Sequence, residues 1–246
     1  MLICNNMLIQ SLNQTWLENI IQSLNMVFHS EAHFQFCLAW EIKKHFNCNV
    51  ILEDYTASVK DPNGKIIQKL YTDIVVEDVD CDFRIAIEVK YKTALFSQHG
   101  VYLFNHGAQP LARYDFLKDV ERVEGLVLNT SNVQIIKRCN IGFSIMLTND
   151  NSYWNIPTIP LKTIDKNIRI HQGNVLNGDL DWYPVNPCPK TIIRTKRSKT
   201  LHLTGNYTCK WKPYINYSIP NGEFKYLILS YPNNAKSTNS VERLCD

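Results

Sequence analysis

Leu12, Trp16, Ile20, Leu24 and Phe28 recur at every fourth position, with Leu17 and Ile21 beside them. That stripe predicts an amphipathic helix in segment 1–29 that packs on the core. Ser30 then reads as the N-cap of a second helix running to about Phe46, with Glu31 in its first turn and Phe34, Cys37, Leu38, Ile42 and Phe46 as its buried stripe. The period changes to β at Asn49. Residues 49–59, 66–77 and 83–91 are rich in β-branched side chains, and Asp61-Pro62-Asn63-Gly64 is a turn, so three antiparallel strands in a meander are expected. Ala112, Phe116, Val120 and Val123 predict a helix from Gln109 to Glu124, with Gly125 as its C-cap, and Gly142 to Leu147 reads as a buried strand. After Asp150 the pattern becomes short β segments broken by Pro157, Pro160, Gly173, Gly178, Pro184, Pro187 and Pro189. Helices covering a mixed sheet make the class α/β.

Composition changes this picture little. The 246 residues are 45% hydrophobic and 20% charged, enough for a sizeable core, and 9 Gly and 10 Pro leave no low-complexity linker to divide the chain. The order of patterns suggests an N-terminal helix (1–29), a core (30–150) and a β-rich extension (151–246). No window approaches the roughly 18 apolar residues of a membrane span, and the apolar patches of 1–12 follow no basic residue, so a cytoplasmic protein is expected. The eight cysteines are scattered with no C-x-x-C pair, which reads as reduced, mostly buried thiols without structural zinc.

Charge is uneven. Residues 1–181 hold 16 basic and 20 acidic side chains, whereas Trp182 to Gly222 has no acid and seven bases: Lys190, Arg194, Lys196, Arg197, Lys199, Lys210 and Lys212. Trp182, Tyr183, Tyr207, Trp211, Tyr214 and Tyr217 are interleaved with them. Bases and flat rings in one stretch suit phosphates and nucleobases, so Lys190, Arg194, Lys196, Arg197, Lys199, Lys210, Trp211 and Lys212 are candidate nucleic-acid contacts. A solvated basic hairpin with core aromatics is the plainer alternative.

The chemistry concentrates in Tyr71-Thr72-Asp73-Ile74-Val75-Val76 and Arg84-Ile85-Ala86-Ile87-Glu88-Val89-Lys90. Strand alternation puts Ile85, Ile87 and Val89 on one face and Ala86, Glu88 and Lys90 on the other. A hairpin centred between Asp80 and Cys81 sets Glu77 against Arg84, Val75 against Ala86, and Asp73 against Glu88. Like charges placed opposite each other are unfavourable unless a cation lies between them. Mg²⁺, with Mn²⁺ as an alternative, takes one or two carboxylates, waters and substrate phosphate. Lys90, on the same face, would hold or deprotonate an attacking water, or stabilise charge on a pentavalent phosphate.

An Asp, a short gap and a Glu-x-Lys ending an apolar strand, with a helix before the meander and a helix then a strand after it, resembles the PD-(D/E)XK nuclease superfamily. The likeness covers residues 30–150, and Thr72 stands where the motif's name has Pro. It implies a restriction endonuclease-like α-β-β-β-α-β core with a mixed central sheet. It also implies that Glu31 matches the acid of the preceding helix, Asp73 and Glu88 the metal-binding carboxylates, and Lys90 the lysine. Family members often use the following helix for phosphate or catalytic support, and there Gln109 and Arg113 share a face. His99 and His106 lie in the loop before that helix. The expectation is a Mg²⁺-dependent endonuclease acting on nucleic acid, DNA before RNA, in restriction, defence or DNA processing; two cuts in a duplex would favour a homodimer. The alternatives are a non-catalytic nucleic-acid-binding module or partner subunit that retains the fold, and an extension that is a protein-interaction surface. No dinucleotide fingerprint, Walker loop, G-x-S-x-G or H-E-x-x-H is present.

Overall fold

A computed structural model of the chain describes residues 12–80, 82–98, 100–129, 133–158, 163–183 and 190–232. The elements in chain order are α1 (Gln14–Leu24), α2 (Glu31–His45), β1 (Cys48–Lys60), β2 (Ile66–Asp78), β3 (Arg84–Lys92), β4 (Phe96–Gln98), β5 (Val101–Leu103), α3 (Gln109–Leu128), β6 (Gln134–Ile135), β7 (Ile141–Thr148), β8 (Val175–Leu180), α4 (Lys190–Arg194), β9 (Leu201–Thr208), β10 (Lys212–Asn216) and β11 (Glu223–Tyr231). Among them no helix is long and apolar enough to cross a membrane.

Local chemistry sets the boundaries. Asn13 caps α1 by accepting from the Trp16 amide, and Asn25 ends it in the left-handed region at φ 42°. The helix therefore stops short of Phe28, whose ring still enters the core. Ser30 caps α2 by accepting from the His33 amide, with Glu31 in the first turn and Lys43 and Lys44 in the last, charges that suit the helix dipole at both ends. The β1–β2 turn is closed by Asp61 Oδ1, which accepts from Asn63 and Lys65, while Gly64 supplies φ 81°. α3 passes through Gly125 and ends at Asn129, φ 58°, because Leu126 and Val127 continue its buried face beyond the glycine.

Seven strands form a mixed sheet in the order β10-β11-β7-β3-β2-β1-β6. β3 and β7 are parallel, and the other pairs are antiparallel. The β2–β3 register sets Glu77 against Arg84 and Val75 against Ala86. Ile74, Val76, Ile85, Ile87 and Val89 face α1 and α2 in one core; Met146, Leu227 and Leu229 share a second with α3, β8 and β9. With both faces covered, β7 is buried along nearly its whole length, whereas β3 alternates apolar residues with Glu88 and Lys90.

Strands on the two sides of residue 150 share one sheet. Within 151–246, β11 pairs with β7 over seven residue pairs and β10 pairs with β11, so the end of the chain completes the central sheet. Four cysteines lie among the described residues, all unpaired: Cys37 half-buried, and Cys48, Cys139 and Cys209 buried.

Candidate active site

Asp73 and Glu88 sit where β2 and β3 part. The ladder between them runs from Glu77–Arg84 to Ile74–Ile87 and goes no further. Asp73 and Glu88, next in that register, do not pair; one residue further on the Val89 amide donates to Asp73 Oδ2, at 2.7 Å. The aspartate thus takes a ladder donor of β3, and its carboxylate lies beside the backbone between Glu88 and Lys90. Gln35 Nε2, from α2, donates to the Asp73 carbonyl at 2.6 Å and holds the parting strand from the other side.

Glu88 is 1% exposed. Arg122 Nη2, from α3, forms an ion pair with its Oε2, while Oε1 is buried without a hydrogen bond. Burial, joined by the charges of Asp119 and Asp73, pushes the Glu88 carboxyl well above the ordinary range against the pull of Arg122 and Lys90. Asp73 is raised for the same first reason, burial, against its bond from Val89 and the nearby Lys90. Lys90 Nζ lies 2.7 Å from Asp119 Oδ2. Burial works against its charge, but Asp119 and Glu31 outweigh it and keep the ammonium protonated beyond its usual range. Asp119 Oδ1 also meets Arg122, at 3.0 Å. When all are ionised, three carboxylates (Asp73, Glu88, Asp119) face two cations (Lys90, Arg122), which leaves one negative charge in excess.

Glu31 reaches the same end of β3 from the opposite face. Its Oε2 accepts from the Tyr91 amide at 2.7 Å, with Lys92 Nζ 3.8 Å away. His106 Nδ1 lies 3.1 Å from both the amide and the hydroxyl of Thr93, and burial and Lys92 lower its pKa. His99 lies outside the described residues.

The other candidates fall elsewhere. Arg113, 2% exposed, is engaged by Asp165 Oδ2 at 2.6 Å and the Ser152 carbonyl at 2.7 Å, so it has no face to offer a phosphate. Gln109 donates to Asp150 Oδ2 at 3.0 Å. In the basic stretch Arg197 makes a two-pronged contact with Asp115 at 2.7 and 2.6 Å, and Lys212 pairs with Glu18 at 2.6 Å. Trp211 is a core residue whose Nε1 donates to the Ile170 carbonyl, not a stacking platform, and Tyr207 and Tyr214 are buried too. Lys190, Arg194, Lys196, Lys199 and Lys210 remain exposed to solvent.

Sequence reasoning missed Asp119 and Arg122. The signal for them was their i, i+3 spacing on α3, flanking the apolar stripe that presses on the sheet. Comparison with protein-family models, with curated proteins and with solved structures found no match. Among the described residues no three His, Cys, Asp or Glu side chains are gathered into a metal-binding group.

Proposed function

We propose that the chain is a metal-dependent endonuclease with a PD-(D/E)XK-type site, acting on DNA, with Asp73, Glu88 and Lys90 at its centre and Glu31 at its margin. The observation that carries this reading is the bond from the Val89 amide to Asp73, which sets the aspartate beside a buried glutamate and a charged lysine at the point where two strands separate. The order of helix, three antiparallel strands, helix and a strand parallel to the third supports the α-β-β-β-α-β core that the resemblance implies.

The donor set suits Mg²⁺ or Mn²⁺. Asp73 and Glu88 offer hard oxygens, Glu88 Oε1 is buried and without a hydrogen bond, and the cluster has a surplus negative charge once all three carboxylates are ionised, a state that a bound cation favours. When bound, such an ion would polarise the scissile phosphate and lower the pKa of water. The protein's own groups do the rest. Val89 orients Asp73, Asp119 holds the Lys90 ammonium in place, and that ammonium can orient a water or meet charge developing on a phosphate oxygen. Because Lys90 is held protonated, it serves as a donor rather than as a base.

The salt-bridge network around Glu88 would equally suit a non-catalytic nucleic-acid-binding module, and the test separates the two. Supercoiled plasmid, linear duplex, single-stranded DNA and RNA are incubated with Mg²⁺, Mn²⁺ or EDTA, using wild type beside Asp73→Ala and Lys90→Ala. We expect metal-dependent cutting that falls by a factor on the order of 10² or more in each variant. Cutting that survives in both, or a wild type that binds in a salt-sensitive way and cuts nothing, overturns the enzyme reading.

A further inference from the structure

On the sheet face that carries Glu88 and Lys90, a cavity of about 450 Å³ opens between the β1–β2 arm, α3 and β9. Its floor is aliphatic, with Ala57, Leu70, Leu126 and Ile135 among its lining residues. Its rim is cationic. Lys118 comes from α3 and Lys199 from the turn before β9; both are exposed, and neither has an ion-pair partner among the described residues. The two acids in the wall already have hydrogen-bond partners. Glu121 accepts from the His202 amide at 3.0 Å, and Glu124 accepts from the Thr204 and Gly205 amides and the Tyr207 hydroxyl. Arg122 joins the two places, since it lines the cavity and also pairs with Glu88.

We propose that this cavity receives one unpaired nucleotide of the substrate strand. Its base would lie against the aliphatic floor, and its flanking phosphates would meet Lys118 and Lys199. The size is that of a small-ligand cleft, which runs to roughly 300–1,000 Å³, and a stacked, paired base cannot enter it. Drawing a base out of a duplex costs a few kcal/mol, so a strand that is already unpaired is preferred. Naming the occupant as substrate rests on the nuclease reading; the fit of an unpaired strand rests on the cavity alone. The preferred substrate is accordingly a single strand or a locally opened duplex.

Binding without turnover tests this. Fluorescence anisotropy in EDTA compares a labelled 12-mer deoxyoligonucleotide, the matching RNA and the DNA duplex. We expect either single strand to bind at least about tenfold more tightly than the duplex. The Lys118→Ala/Lys199→Ala pair should lower the slope of log affinity against log salt by about 1.4, roughly 0.7 for each lost phosphate contact with a single strand. Leu70→Trp, which fills the cavity, should weaken single-strand binding by about tenfold and leave that slope unchanged. Gln68→Trp, at an exposed position on the cavity wall, does the same without touching the core and guards against misfolding of the first variant. Equal affinity for duplex and single strand, or wild-type single-strand affinity in a natively melting Gln68→Trp, overturns the proposal. A protein that prefers the single strand but cuts nothing with any metal retires the nuclease reading and keeps the cavity. One that cuts and prefers duplex does the reverse.

Discussion

Glu88 gathers the strongest opposing forces on any single side chain of the candidate site. Its carboxyl is almost wholly buried and has Asp73 and Asp119 for neighbours, with Arg122 as the main compensation. The folded protein therefore holds a proton on Glu88 at pH values where the unfolded chain, with a glutamate pKa near 4.3, has released it. In the window between that value and the raised one, the folded state binds more protons than the unfolded state, so stability falls as pH rises. Glu88→Gln removes the charge but keeps the shape, and Arg122 retains Asp119. In EDTA this variant should melt above wild type at pH 8, with the gap closing as pH approaches about 4. Differential scanning fluorimetry over that range checks it. Parallel curves for the two proteins would show that burial does not govern this carboxyl.

At the scale of elements, the site depends on how closely α3 lies on the sheet, and Gly142 on β7 reports that distance. A Cβ added there would stand 2.0 Å from Val123 Cγ1 on α3. Gly142→Ala should therefore cost roughly 1–3 kcal/mol by overpacking, and adding Val123→Ala should recover part of it. Urea denaturation of both single variants and the double gives the coupling; strictly additive losses would mean that the helix moves away without strain. This arrangement also explains what the sequence disclosed. The β2–β3 register, the Ser30 cap, the Asp61 turn and the split of β3 into two faces followed from local patterns, because each depends on residues a few positions apart. The burial of Arg113 and the pairing of Lys90 with Asp119 depend on what covers α3 from outside. Asp165 and β9, which lie in the irregular last third of the chain, supply that cover. With both sides of the helix enclosed, its apolar stripe no longer tells which charged residues face the carboxylates. Gly125 misled for a related reason: a glycine suited to ending a helix lies inside one whose buried face runs on to Val127.

At the scale of the whole molecule, the continuity of the sheet across residue 150 predicts that the chain unfolds as one cooperative unit. β7 is a central strand only because β11 covers it, and β11 feeds both cores: Tyr226 and Ile228 enter the one under α1 and α2, and Leu227 and Leu229 the one under α3. On one side β6 covers only Ala57 and Ser58 of β1; on the other β10, with 5 residues, carries Lys212 and Pro213, a charge and a missing donor that discourage further pairing. Cutting the chain after Asp150 would replace that guarded edge with β7, 8 residues long and almost wholly buried in the intact sheet. It would also strip Asp115 of Arg197 and Glu124 of the β9 amides, contacts that tie down the helix supplying Asp119 and Arg122. Residues 1–150 expressed alone should therefore lack a cooperative thermal transition by circular dichroism, bind a hydrophobic dye and aggregate, even though they contain all four residues of the motif. If that fragment instead melts in one sharp step and remains monomeric, the last third is an accessory to an independent core. The carboxylate cluster would then owe nothing to the strands that close the sheet.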